Sequence, residues 1–293
     1  MNLSEYLHEQ CRLVDSALDR WVPLPSAQPE NIHKAMRYSL FAGGKRIRPI
    51  LCMSAARVVS DQVSGLEDAA CTLELIHTYS LIHDDLPALD NDDLRRGRPT
   101  CHKVFGEAMA ILAGDALLTL AFQVLGRIQL PAERRVALVD ELAAASGTVG
   151  GMIGGQVHDI EGEGRTPTAE LLESIHRAKT GALLRASVRM GAICAGADDE
   201  QYDTLSRYGE HIGLAFQIID DVLDVEQSSE ALGKTAGKDV VQGKITFPAV
   251  YGLKRSKKMA GSELQKAHAC LEMFGERANW LHQLADLIVH RTA

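Results

Sequence analysis

"LIHDDLPALDNDDLRRGRPT", residues 81–100, follows an apolar lead-in with five carboxylates (Asp84, Asp85, Asp90, Asp92, Asp93) and then three guanidinium groups (Arg95, Arg96, Arg98). A second stretch, "FQIIDDVLD" at 216–224, repeats the theme with Asp220, Asp221 and Asp224. Residues four apart on a helix share a face, so Asp220 and Asp224 point together, and like charges there oppose each other unless a cation lies between them. One acidic run is ordinarily a solvated helix end. Two such runs, each following apolar residues that bury the helix body, point to a metal-bridged site. Hard oxygen ligands without cysteine suit Mg²⁺ better than zinc.

Mg²⁺ is usually held by a few carboxylates together with substrate phosphates. The chain supplies basic partners for phosphate in small separate groups. "GGKRIRP" (43–49) offers Lys45, Arg46 and Arg48, and "LRRGRPT" offers Arg95, Arg96 and Arg98. Lys179 stands beside Thr180, while Lys234, Lys238 and Lys244 follow in "GKTAGKD" and "QGKITFP". Arginine forks match phosphate oxygens and lysine supplies point charge. No Walker A loop, GxSxG elbow, HExxH or GxGxxG occurs, so there is no conspicuous nucleophile. A diphosphate ester of an allylic alcohol needs none. It ionises once its leaving group is neutralised by Mg²⁺ and basic side chains.

The rest of the chain reads as helix. Aromatic residues are 5% of the 293, and Ala and Leu are abundant, which favours helices over a sheet-rich core. Helices are predicted over 3–18, 31–42, 50–59, 65–84, 104–125, 131–145, 169–191, 198–224, 245–253 and 262–291. The glycine-rich 146–164 reads as either a helix opened for close packing or a loop. With no repeat, linker or alternating strand run, residues 1–293 are expected to form a single all-α domain. A net charge of −8 argues against a nucleic-acid partner. The apolar run 108–125 is interrupted by Asp115 and Gln123 and reads as a poor membrane span. Six scattered cysteines without a CxxC pair, and an N-terminus without a secretory h-region, suggest a reduced, cytoplasmic protein.

Taken together, the two aspartate-rich stretches with "LFAGGKRIRP", "LELIHTYSLIHDD", "AILAGDALLTLAF", "GGQVHDIE", "HRAKTGALLRASVRMGA" and "GKITFPA" resemble the trans-isoprenyl diphosphate synthases, and the bacterial farnesyl diphosphate synthases closely. The resemblance covers most of the chain. It implies a bundle of about ten or more helices around a central substrate cavity. It implies a short-chain prenyltransferase joining isopentenyl diphosphate to dimethylallyl or geranyl diphosphate by ionisation, condensation and proton elimination. Asp84, Asp85, Asp90, Asp220, Asp221 and Asp224 would form the metal motifs for three Mg²⁺ ions, with Asp84, Asp90 and Asp220 the direct ligands. Arg95, Lys179, Lys234 and Lys244 would hold the allylic diphosphate. Lys45, Arg48, His77 and Arg96 fall where the family holds isopentenyl diphosphate. The oxygens of Thr180 and Gln217 would stabilise the cation.

By the same resemblance, product length is set four and five places before the first motif, at Ser80 and Tyr79. The Tyr79 ring blocks long products and the small Ser80 leaves room, which favours C15 over C10 and C20. The alternatives are a geranyl or geranylgeranyl diphosphate synthase, a class I terpene cyclase, or a non-catalytic regulatory subunit. A cyclase does not need Lys45, Arg48 and Arg96, and regulatory subunits typically lose an aspartate motif that this chain keeps. A homodimer is implied, and Arg291 would help close the isopentenyl site. Gly233, Gly237 and Gly243 interspersed with lysines suggest a closing segment over 233–244.

Overall fold

A capping box opens the first helix: Asn2 accepts from the Glu5 amide while Glu5 reaches back to the Asn2 amide. The computed structural model describes residues 1–226 and 244–291. In chain order these form α1 (Leu3–Trp21), α2 (Glu30–Leu40), α3 (Ile47–Val59) and α4 (Leu66–Asp84). A two-stranded hairpin, β1 (Leu94–Arg95) and β2 (Arg98–Pro99), pairs antiparallel with Arg95 opposite Arg98. Then come α5 (Cys101–Phe105), α6 (Glu107–Arg127), α7 (Ala132–Ser146), α8 (Met152–Gly162) and α9 (Ala169–His176). A π-turn over Arg177–Gly181 leads into α10 (Ala182–Ala195) and α11 (Asp199–Glu226). After the undescribed stretch follow α12 (Phe247–Tyr251), α13 (Leu253–Cys270), a 3₁₀ segment (Glu272–Ala278) and α14 (Asn279–His290). The fold class is all-α, as the sequence implied.

The chain divides into two compact units, one of residues 1–50 and 64–139, the other of 51–63 and 140–293. In the first, α4 is apolar on nearly every face, the pattern of a buried helix. Leu73, Leu75 and Ile76 are fully buried, as are Leu117 and Leu125 of α6. Each such side chain stabilises the unit by about 1.5–3 kcal/mol. The helices close up at Gly114, where any Cβ would collide with the His83 ring. His83 Nε2 lies 3.0 Å from the Ile111 carbonyl, fixing the last turn of α4 against α6. By length and composition α6 is apolar enough to cross a membrane, and 44% of that apolar stretch is buried within the protein.

In the second unit, α10 passes so close to α3 at Gly191 that a Cβ would strike the Cys52 carbonyl. Tyr208 of α11, fully buried, donates to the Leu281 carbonyl of α14 at 2.7 Å. Leu172, Ile218, Val222, Ile245, Phe247 and Ala260 form one apolar cluster.

Four expectations change in detail. The predicted helix over 169–191 is split by the π-turn. The predicted 245–253 shrinks to Phe247–Tyr251, ended by Gly252 at φ 77. The predicted 262–291 starts earlier and breaks near Gly275, whose φ of 55 no helix accommodates. The predicted 104–125 is interrupted at Gly106, with φ of 85, between α5 and α6. Of the two readings of the glycine-rich stretch, the helix holds over Met152–Gly162.

Candidate active site

The first aspartate motif is the C-terminus of α4 folded back on itself. The Asp90 amide donates to the Asp84 carbonyl at 2.8 Å, so these two aspartates become neighbours despite five intervening residues. Asp92 returns to the Asp85 carbonyl at 3.2 Å. The opening crowd of charges then sorts itself. Asp85, buried, accepts from Arg95 Nε at 3.0 Å and from Arg95 Nη2. Burial pushes the Asp85 carboxyl up from its ordinary range, against the pull of Arg95. Asp93 pairs with Lys103 at 2.7 Å, and Arg98 lies 4.7 Å over the Tyr38 ring.

Arg96 donates to the Gly43 carbonyl, which brings it onto the "GGKR" turn. Gly43 and Gly44 have φ of 91 and 133, and a Cβ on Gly44 would lie 2.8 Å from the Arg96 guanidinium. The positive φ favours glycine at both positions. Lys45 is exposed and Arg48 half-buried, but Arg46 turns inward. It bonds Glu74 at 2.7 Å, Asp15 at 3.0 Å and the Leu40 carbonyl at 2.8 Å. Read beside its neighbours as a phosphate-facing cation, Arg46 is instead the clamp of this turn. His77 is held well below the usual imidazole range by burial and by Arg48, Arg96, Arg95 and Arg46. It is a neutral side chain among cations. Tyr79, 5% exposed, sets its ring edge-on to His83 at 5.8 Å, and burial pushes its phenol up to about 12. Ser80 donates to the His77 carbonyl at 2.9 Å.

In the second unit, Lys179 and Thr180 lie on the π-turn. Backbone packing makes that turn: a Cβ on Gly155 of α8 would collide with the Lys179 backbone. On the other side, a Cβ on Gly213 of α11 would lie 3.1 Å from the Gly181 Cα. Asp159, buried in α8, receives Lys179 Nζ at 2.6 Å. On α11, Asp220 Oδ1 is bonded by Arg291 Nη2 at 2.5 Å, with the Arg291 guanidinium 4.0 Å over the Phe216 ring. Arg291, expected near the isopentenyl site, thus sits on the second aspartate motif. Asp221 accepts from Gln217 Nε2 at 2.7 Å and from the Phe247 amide at 2.8 Å. Asp224 is buried and Lys244 half-buried. Lys234, Lys238 and most of the expected closing segment lie outside the described residues.

With this geometry in place, similarity decides the family. The polyprenyl synthetase family model matches residues 29–278. The chain is 47% identical to a farnesyl diphosphate synthase of Geobacillus stearothermophilus, over 99% of this chain and 98% of that one. It is 48% identical to the large subunit 1 of a heterodimeric geranylgeranyl pyrophosphate synthase of Arabidopsis thaliana, over 98% and 78%. Among solved structures, an FPP/GFPP synthase of Zymomonas mobilis superposes with a TM-score of 0.88 at 36% identity, covering 98% of this chain and 99% of that one. The chain belongs to the polyprenyl synthetase family. It is a prenyltransferase, a trans-prenyl diphosphate synthase, of a family that acts on isopentenyl and allylic diphosphates.

For this synthase the donor set can be tested against Mg²⁺. Among the described residues no three His, Cys, Asp or Glu side chains form a ready-made metal cluster. The oxygen donors still fit a hard cation that keeps most of its waters and takes the rest from phosphate. Asp84 and Asp90 are brought together, and Asp220 holds a cation already, in the form of Arg291. Asp85 and Asp221 are committed to protein partners. Reading the sequence left Asp159 without a role. Its only signal was "GGQVHDIE", a motif whose partner, Lys179, lies twenty residues away.

Proposed function

We propose that this synthase makes farnesyl diphosphate, condensing isopentenyl diphosphate with dimethylallyl or geranyl diphosphate. The observation carrying the C15 reading is Tyr79: its ring is buried one helical turn before Asp84, where a lengthening chain would have to pass. The geranylgeranyl reading draws on relatives of that name that are 48% identical to this chain.

In this proposal Lys45, Arg48 and Arg96 bind the diphosphate of isopentenyl diphosphate, with His77 as a neutral hydrogen-bond partner. Arg95, Lys179, Lys234 and Lys244 bind the allylic diphosphate, and Asp84, Asp90 and Asp220 hold the Mg²⁺, three ions in all. Bound Mg²⁺ would neutralise charge developing on the leaving group. The C1–O bond of the allylic ester breaks and the electron pair leaves with diphosphate. The isopentenyl double bond supplies the pair for the new C–C bond, and the resulting cation loses a proton to the released diphosphate. Thr180 and Gln217 direct oxygen at the positive charge.

The active form is a homodimer in the cytoplasm in this reading. Support comes from exposed Val104, Ile111 and Leu112 on α5 and α6, and from six free cysteines.

Mass spectrometry of products from isopentenyl and dimethylallyl diphosphates, with and without chelator, tests the proposal. The expected outcome is a chelator-sensitive C15 diphosphate from the native enzyme and longer products from Tyr79→Ala. C20 from the native enzyme would overturn the Tyr79 reading while leaving the chemistry intact.

A further inference from the structure

The second motif offers two adjacent aspartates, Asp220 and Asp221, but their surroundings differ. Asp220 is 45% exposed at its side chain and carries the guanidinium of Arg291 as its counter-charge. Asp221 is 4% exposed and both of its oxygens are taken. Oδ1 accepts from the Gln217 amide nitrogen at 2.7 Å, and Oδ2 accepts from the Phe247 backbone N–H at 2.8 Å. His176 Nε2 stands 3.2 Å from Oδ2, outside hydrogen-bond alignment, and its ring stacks on Phe247 at 5.3 Å. Ile245 and Phe247 are themselves buried in the apolar cluster that includes Ile218 and Val222 of α11. A metal ion taking Asp221 would have to displace Gln217 from Oδ1 or crowd the Phe247 amide on Oδ2 inside that packing, whereas Asp220 beside it is exposed.

We infer that Asp221 is a positioning residue and not a metal ligand: its carboxylate fixes the amide orientation of Gln217 and anchors the Lys244–Phe247 segment. The argument for Gln217 is one of donors and acceptors. A carboxylate has no proton to give, so Gln217 must turn its NH₂ towards Asp221. The amide is planar, and its oxygen is thereby committed to the other side. An oxygen there stabilises a carbocation, whereas an NH₂ group would oppose it. A neutral amide at position 221, with its oxygen taken by the Phe247 amide, presents NH₂ to Gln217 and so turns the Gln217 oxygen towards itself and away from the cation. The same residue holds the Phe247 amide three places after Lys244, and touches His176 immediately before the turn bearing Lys179 and Thr180. One buried charge therefore orders groups from three separated stretches of chain.

This inference rests on the proposed assignment of Gln217 to the cation and of Asp220 to the metal, and its test separates the two. Asp221→Asn is isosteric and keeps an acceptor for the Phe247 amide. Mn²⁺ binding in the presence of inorganic diphosphate, followed by electron paramagnetic resonance, reads the metal site without turnover. D221N is expected to stay within about two-fold of the native protein, while D220N weakens binding by about ten-fold or more. In steady state, D221N should lose about ten-fold or more in kcat while KM for isopentenyl diphosphate is unchanged, the mark of an interaction made only in the transition state. The double variant Q217E/D221N restores an oxygen at the cation, because the amide introduced at position 221 can donate to the carboxylate introduced at 217, and should recover part of the lost kcat. A loss of Mn²⁺ affinity in D221N equal to that in D220N, or no recovery in the double variant, overturns the inference. Should D220N itself bind Mn²⁺ and diphosphate like the native protein, the metal assignment of the motif fails, and the positioning role falls with it.

Discussion

Arg46 adopts a left-handed φ of 49, a conformation that costs a non-glycine residue energy. Its guanidinium offsets this with Glu74, Asp15 and the Leu40 carbonyl. Arg46 and Glu74 are 2% and 3% exposed at their side chains, so neither charge has water to fall back on. Burial alone would lower the Arg46 pKa, yet it is raised, because Glu74 and Asp15 together outweigh desolvation. Removing one member of such a pair is worse than removing both. Arg46→Ala should destabilise the protein by about 3–5 kcal/mol, since Glu74 is left as an uncompensated buried charge. Arg46→Met with Glu74→Leu should cost clearly less. Urea unfolding of the two variants decides it, and equal losses would mean that the pair is not what holds the turn. If Lys45 and Arg48 bind isopentenyl diphosphate as proposed, Arg46→Ala also raises KM for that substrate.

The π-turn at Arg177–Gly181 shows how a whole element can be set by residues that have no side chain. Gly155 and Gly213 let two helices approach its backbone from α8 and α11. Gly155→Ala forces Lys179 to move, at a packing cost of about 1–3 kcal/mol. A displacement near 1 Å at a catalytic group can cost roughly 10²-fold in rate. The expected result is a folded enzyme with kcat reduced on that order. Gly126→Ala on α6 is the control: its Cβ meets nothing within 4 Å, so activity should hold. Equal behaviour of the two variants would remove the turn from the mechanism. None of this was visible in the sequence, where 169–191 has one uninterrupted helical pattern, because a π-turn adds a residue to a turn without changing which residues are apolar. The all-α class and both aspartate helices were legible, since spacing and burial there follow from local periodicity. Local patterns also grouped Arg46 with Lys45 and Arg48, and Asp221 with Asp220. What separates them is a partner far along the chain, Glu74 in one case and the Phe247 amide in the other. Burial of a charge cannot be read from its neighbours in sequence.

At the scale of the molecule, acid should destabilise this protein in two steps that are assignable to residues. His77, in the first unit, is held well below the ordinary imidazole range by burial and four arginines. The unfolded chain takes up a proton at about 6.5 while the folded one does not, so the unfolded state binds more protons and stability falls as pH drops below that value. Glu263, in the second unit, is lowered although burial opposes this, because Lys266 and His211 bond its carboxylate. A depressed carboxylate contributes stability that is present above the unfolded pKa, about 4.3, and is lost as pH falls through the folded one. Both contributions have the same sign, that of His77 setting in near pH 6.5 and that of Glu263 only near 4.3. Each fully developed proton difference is worth at most about 1.4 kcal/mol per pH unit. His77→Gln should flatten the stability curve from about pH 7 downwards, because the folded imidazole stays unprotonated well below the ordinary value. Glu263→Gln should lower stability near neutrality and flatten the acid limb below pH 5. Urea midpoints measured from pH 8 to pH 4 check both, and a His77→Gln curve parallel to that of the native protein would show that the imidazole titrates normally in the folded state.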